Sequence, residues 1–348
     1  MPGHDIVVVG ASAGGVEALS VLVKNLPQDL NAAVLVVLHV PSHSSSVLPR
    51  ILERAGNLPT AHARDGEPLL LGRIYIAPPD YHLLVKPGTL QLTRGPRENS
   101  HRPAIDPLFR TAARAYGGRV IGVVLTGNLD DGTAGLKAVK IRGGLAVVQS
   151  PDDALYAGMP RSAIENVDDI DYILPLSHLP SKLVDLVNTP VEVVGENPIP
   201  KEIVFESDLA EMKMAQLHND DKPGKPSPFG CPDCGGTLWD LSQGDLLRFR
   251  CRTGHAFSAA TLLAKQSDAL EDALWSALRA LEEKASLANR MSRRMRDRNQ
   301  TLSAIKLEEE AKDAQKRAAI IQDVLLTGDG ITKDKDLSSL SLDEQIEE

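Results

Sequence analysis

The sequence predicts an α/β protein: a doubly wound, mainly parallel sheet, followed by a small cysteine-bearing ribbon and an α-helical hairpin. Three observations predict it. Between residues 5 and 188, β-branched runs alternate with helix-like segments, the pattern of parallel strands joined by helical crossovers. All three cysteines then fall between 231 and 251. From 259 to about 326 the chain lacks Pro and Gly and is rich in Ala, Leu, Glu, Lys and Arg.

Each element follows from its own pattern. Apolar runs predict strands at 5–9, 33–38, 73–77, 120–125, 145–149 and 171–174, with a weaker one at 82–85. Helices are expected at 14–25, 44–55, 105–116, 133–141, 160–166 and 178–187. Pro78-Pro79-Asp80, Pro87-Gly88, Gly117-Gly118 and Gly143-Gly144 punctuate them as turns. This first domain spans 1–188. Residues 189–228 carry Pro190, Pro198, Pro200, Pro223, Pro226 and Pro228 among charges and read as a linker with a helix near 207–217.

The cysteine module occupies 229–257 and a helical region 258–326. In that region Leu270, Leu274, Ala277, Leu281, Ala288, Met291 and Met295 form an apolar stripe. A break at Arg298-Asn299-Gln300 makes a hairpin of it. The stripe needs a partner helix, within the chain or in a second copy, so the C-terminal helices allow a dimer. The tail, 327–348, is expected to be disordered.

Composition narrows the function classes. The net charge of −9 disfavours a phosphate backbone as main partner, so no nucleic acid is expected. No stretch approaches the roughly 20 apolar residues of a membrane helix, and no secretory signal opens the chain. An odd number of cysteines argues against a disulfide framework. The expectation is a cytoplasmic protein without membrane insertion.

In a parallel sheet, ligands bind beyond the carboxyl ends of the strands. The first strand runs into Gly10-Ala11-Ser12-Ala13-Gly14, a G-x-S-x-G of the kind that holds a serine on a sharp strand-to-helix turn. Backbone N–H groups at the following helix start can face a developing oxyanion. His39 follows the second strand, and Asn128, Asp130 and Asp131 follow the strand at 120–125. A serine needs a neighbouring base, and the base needs a carboxylate on its far nitrogen. Ser12, His39 and either Asp130 or Asp131 supply that set.

Other readings fit less well. A dinucleotide loop lacks its second glycine, where Ser12 stands. No Gly-Lys-Ser/Thr follows to make a Walker loop. An α/β-hydrolase places its acid before its histidine, the reverse of the order here.

Cys231-x2-Cys234 and Cys251-x3-His255 have the spacing of a closed, structural tetrahedral Zn²⁺ site, with Leu246–Arg250 as the strand that delivers the second pair. No catalytic cofactor is expected. Arg248, Arg250 and Arg252 give nucleic-acid contact some force, against the acidic chain; docking or dimerisation is the favoured role for ribbon and helices.

Over roughly residues 4–188 the chain resembles the catalytic domain of the chemotaxis protein-glutamate methylesterase (CheB-type) family. The resemblance is carried by Val9–Gly15, Leu38-His39-Val40, Ile76-Ala77-Pro78, His101–Asp106, Val124–Gly127, Asp131-Gly132 and Gly158-Met159-Pro160. It implies a triad of Ser12, His39 and Asp131, which selects Asp131 over Asp130. It also implies a serine carboxylic ester hydrolase acting on glutamyl methyl esters of methyl-accepting chemoreceptors, with Arg102 helping to orient substrate or loops. An inactive signalling or docking module of the same fold is the alternative. The chain departs from the family at Asn128-Leu129-Asp130, where relatives usually carry Met-Gly-Asn, on a loop that walls the substrate site. It begins at the catalytic strand, so control by aspartyl phosphorylation would fall to a separate response regulator.

Overall fold

The computed structural model describes residues 3–43, 46–191, 198–212, 224–242 and 246–327. Within them the expected architecture is present. The strands of the first domain are β1 (Ile6–Ala11), β2 (Ala33–Leu38), β3 (Thr60–His62), β4 (Arg73–Ile76), β5 (His82–Lys86), β6 (Thr89–Thr93), β7 (Val120–Val124), β8 (Leu145–Gln149) and β9 (Tyr172–Leu174). Seven of them form one parallel sheet in the order β3-β4-β2-β1-β7-β8-β9. Chain order reverses at β1, which lies between β2 and β7.

The helices are α1 (Gly15–Lys24), α2 (Leu48–Ala55), α3 (Ile105–Tyr116), α4 (Thr133–Ile141), α5 (Gly158–Asn166) and α6 (Leu179–Val187). They cover both sheet faces, which is why β1 and β2 are apolar at every position rather than at alternate ones. Val7 and Val9 of β1 join Leu19 and Leu22 of α1, Leu52 of α2 and Leu183 of α6. Ile6 and Val8 pack on the opposite side with Ile105, Leu108 and Phe109 of α3, Leu136 of α4 and Met159 of α5.

Three expectations need correction. The segment 82–85 is a strand, but β5 pairs with β6 in a separate antiparallel hairpin that packs on α3. The helix expected at 207–217 begins earlier: α7 (Lys201–Ala210) starts directly after Pro200, and residues 213–217 of that expectation lie outside the described residues. Ile203, Glu206 and Leu209 are buried, so this part of the expected linker is packed into the fold. β3 is too short and too mixed to show as an apolar run. Of the expected tail, only Thr327 lies within the described residues.

The ribbon is a four-stranded antiparallel sheet: β10 (Lys225–Gly230), β11 (Thr237–Asp240), β12 (Arg248–Cys251) and β13 (Ala256–Ser258). Leu238, Phe249, Phe257 and Leu262 make its small core with Cys231 and Cys251. Two long helices follow, α8 (Ala259–Asp297) and α9 (Thr301–Thr327), broken at 298–300 as the sequence predicts. The chain forms two compact units, Met1–Leu262 and Leu263–Glu348. In the second, Ala285, Ala288, Ala304, Ala311, Ala314 and Ala318 are buried, and Arg296 of α8 pairs with Glu308 of α9.

Candidate active site and metal cluster

Ser12 follows β1 by one residue, on the turn into α1. Gly14 takes φ 72°, a left-handed conformation that a residue with a Cβ adopts only at a cost. The turn is tied down by Ser12 N–H donating to Thr126 O at 3.0 Å and Gly15 N–H donating to Ser12 O at 2.9 Å. The start of α1 therefore stands immediately beyond the serine, with its positive end toward it.

His39 stands just beyond β2, next to β1 in the sheet. Its Nδ1 lies 3.0 Å from Ser12 Oγ, and its Nε2 lies 2.7 Å from Asp131 Oδ2. An ionised carboxylate only accepts, which assigns the ring proton to Nε2 and leaves Nδ1 to accept from the serine hydroxyl. The ring also stacks on His101, with centroids 3.6 Å apart and planes 9° from parallel.

Asp131 comes from the loop after β7. Its carboxylate meets the N-terminus of α3: Oδ2 accepts from Ile105 N–H at 2.7 Å, and Oδ1 from Asp106 N–H at 3.3 Å and Gly132 N–H at 3.0 Å. Burial alone would raise the carboxyl. The hydrogen bond and charge of His39, joined by the Ile105 amide, overcome burial and hold it well below the usual range. Asp106, buried beside it, goes the other way. Burial and the neighbouring Asp131 charge push its carboxyl up to about 8. One carboxylate of the pair thus carries the charge.

The residues predicted at three strand ends accordingly converge. Asp130 does not face His39. It is buried and accepts from Ser258 Oγ at 2.6 Å and Thr261 Oγ1 at 3.1 Å. Arg102 is held by Asp80 (Nε–Oδ1 3.0 Å, Nη2–Oδ1 2.6 Å) and by Gly95 O at 2.9 Å, so its guanidinium braces the 80–103 loops. Sequence reasoning missed Asn99, whose Nδ2 donates to Asp131 Oδ1 at 2.9 Å. The only hint was its position two residues before the matching His101–Asp106 stretch.

Cys231, Cys234, Cys251 and His255 come together with all their ligand atoms within 4.8 Å of one another. Cys234 Sγ is 3.7 Å from Cys251 Sγ, and His255 Nδ1 is 3.5 Å from Cys251 Sγ and 3.7 Å from Cys231 Sγ. A tetrahedral ion with metal–sulfur bonds of about 2.3 Å and a metal–nitrogen bond of about 2.05 Å spaces such atoms by roughly 3.8 and 3.6 Å. The cluster could hold a metal ion. Of the three arginines nearby, Arg252 is exposed. Arg248 and Arg250 are turned inward onto Glu206 and Glu98.

The family described as CheB methylesterase matches residues 7–183. A relative from Leptospira interrogans is 42% identical over 177 residues, 51% of this chain and 91% of its own length. The Anaeromyxobacter dehalogenans protein-glutamate methylesterase/protein-glutamine glutaminase 2 is 38% identical over 182 residues, 52% of this chain and 53% of that protein. The crystal structure of the Thermotoga maritima CheB methylesterase catalytic domain is 36% identical with a TM-score of 0.51, covering 53% of this chain and 100% of that one. The chain belongs to the CheB methylesterase family.

Proposed function

We propose that the chain is a serine protein-glutamate methylesterase acting on glutamyl methyl esters of the cytoplasmic helices of methyl-accepting chemoreceptors. The observation that carries it is the unbroken run Ser12–His39–Asp131, with spacings of 3.0 and 2.7 Å, at the strand ends where chain order reverses. Ser12 Oγ attacks the ester carbonyl while its proton passes to His39 Nδ1. The imidazolium, steadied by Asp131, returns that proton to the departing methanol. A water then gives a proton to His39 as its oxygen attacks the acyl-serine, and His39 passes that proton to Ser12 Oγ as the acyl C–O bond breaks, freeing the glutamate and restoring Ser12.

The names of relatives support the substrate class. The ligand set and its spacings support a structural Zn²⁺ in the ribbon, held by Cys231, Cys234, Cys251 and His255. The exposed apolar side chains Leu270, Trp275 and Leu287 of α8 and Leu302, Ile320 and Val324 of α9 support a dimer through these helices.

The direct test is methanol release from receptor membranes carrying methylated glutamates. Wild-type protein is expected to release it and Ser12→Ala to release none above background. Release by Ser12→Ala at the wild-type rate would overturn the mechanism.

A further inference from the structure

The ribbon, which lies beyond the residues matched to the family, reaches the candidate triad through one asparagine. Asn99 is almost fully buried and takes φ 49°, with Ser100 at 66°. Its Nδ2 donates to Asp131 Oδ1 at 2.9 Å and to Asp106 Oδ2 at 3.0 Å. Its Oδ1 and its main-chain N–H turn to the ribbon. Asn99 Oδ1 accepts from Ser258 N–H at 3.0 Å, and Asn99 N–H donates to Ala256 O at 2.8 Å. Asp130, next to Asp131, is meanwhile clamped by the hydroxyls of Ser258 and Thr261, at the corner between β13 and α8.

The metal cluster sits at the other end of this short path. Cys251 closes β12, His255 precedes β13, and Gly254 between them packs on Pro96. At φ 101°, a Cβ on Gly254 would lie 2.8 Å from Pro96 Cγ. Ala256 N–H donates to Arg97 O at 3.2 Å, and Arg250 pairs with Glu98 while donating to Gly254 O at 2.8 Å. Ligand loop, residues 96–99 and the Asp131 carboxylate are thus joined by direct contacts. An asparagine held on both sides has one orientation; released on one side, it turns toward water and leaves Asp131 with one donor fewer.

We infer that Asn99 is a positioning residue for Asp131, and that occupancy of the Cys231–Cys234–Cys251–His255 site by zinc sets its hold. The ribbon is on this account a working part of the esterase. The inference rests on the esterase reading above.

The test uses the full chain in four forms: zinc-loaded, chelated, Cys234→Ser, and zinc-loaded Asn99→Ala. Amide exchange is followed at residues 97–106 and in β1, β2 and β7. Turnover of p-nitrophenyl acetate and labelling of Ser12 by a fluorophosphonate are measured alongside. Chelation and Cys234→Ser are expected to speed exchange at 97–106 by about tenfold or more while the sheet stays protected, with zinc re-addition restoring the chelated wild type. All three altered forms should lose about tenfold or more in kcat and in labelling rate, with KM changed by less than about twofold. Asn99→Ala should do so at unchanged zinc content, which a merely folded-state role would not produce.

Exchange at 97–106 indifferent to zinc, or an Asn99→Ala protein with wild-type kcat beside an inactive Ser12→Ala, would overturn the coupling. A wild-type protein no more active than Ser12→Ala sinks the esterase reading instead, and amide exchange then decides the coupling alone.

Discussion

Asp131 and Asp106 lie side by side at the N-terminus of α3, yet their environments push them in opposite directions. Asp131 collects His39 and main-chain N–H groups; Asp106, equally buried, accepts from Gly132 N–H at 3.1 Å and Gly135 N–H at 2.6 Å but faces the Asp131 charge. The charge therefore stays where it can orient His39 and steady its imidazolium. Asp131→Asn keeps the shape and removes the charge, and it reverses the donor facing His39. We expect kcat on the methyl ester to drop by about 10³–10⁴ with near-UV circular dichroism unchanged. A loss below about tenfold would contradict the role assigned to Asp131. Ser12 and His39 were legible because each follows an apolar strand directly. Asp131 and Asp130 were not separable by position, since a single loop residue redirects a side chain; the contacts of Asp130 with Ser258 and Thr261 lie more than 120 residues away in sequence.

β12 carries the charges that bind the ribbon to the α/β unit. Arg250 Nη2 lies 3.1 Å from Glu98 Oε1, Arg110 Nη2 2.7 Å from the same oxygen, and Arg248 pairs with Glu206 at 2.9 and 3.0 Å. All are nearly or fully buried. Removing the carboxylate that Arg110 and Arg250 share leaves buried guanidiniums without a counter-charge, so Glu98→Gln should cost about 3–5 kcal/mol of stability, read by chemical denaturation. A change below about 1 kcal/mol would mean that the network contributes little. The same cluster sets an acid limit. Burial would raise Glu206, but the charges of Arg248, Arg110 and Arg250 bring it down from 4.5 to about 2. A depressed carboxyl stabilises the fold above its unfolded pKa and loses that contribution as pH falls through the folded value. Stability should thus decline from about pH 4.5 towards 2, and Glu206→Gln should flatten that decline. The α/β elements could be read from periodicity because each is apolar and local. β3, β10, β11 and β13 are short, polar or Pro-containing strands that exist only through their pairing partners.

The two units differ in how they cover apolar surface. In Met1–Leu262 the sheet is closed on both faces, whereas α8 and α9 leave Leu270, Trp275, Leu287, Leu302, Ile320 and Val324 exposed. We expect light scattering to find a dimer at micromolar concentration, and Leu287→Glu with Leu302→Glu to shift it to monomer. A monomer at every concentration would remove the helices from that role. No helix among the described residues is long and apolar enough to cross a membrane.

The amino-acid order alone carried the parallel sheet, the serine turn, the histidine beyond the second strand and the Cys/His spacing. Each of these is a local pattern of period, turn chemistry or ligand interval. The choice between Asp130 and Asp131 was open on the residues themselves and was made by family resemblance; the folded chain then brought Asp131 within 2.7 Å of His39 and turned Asp130 to the ribbon. The inward turn of Arg248 and Arg250 and the tie from Asn99 to the ribbon also came only with folding. Those are side-chain contacts between segments up to 159 residues apart, and such contacts leave no periodic trace in the chain.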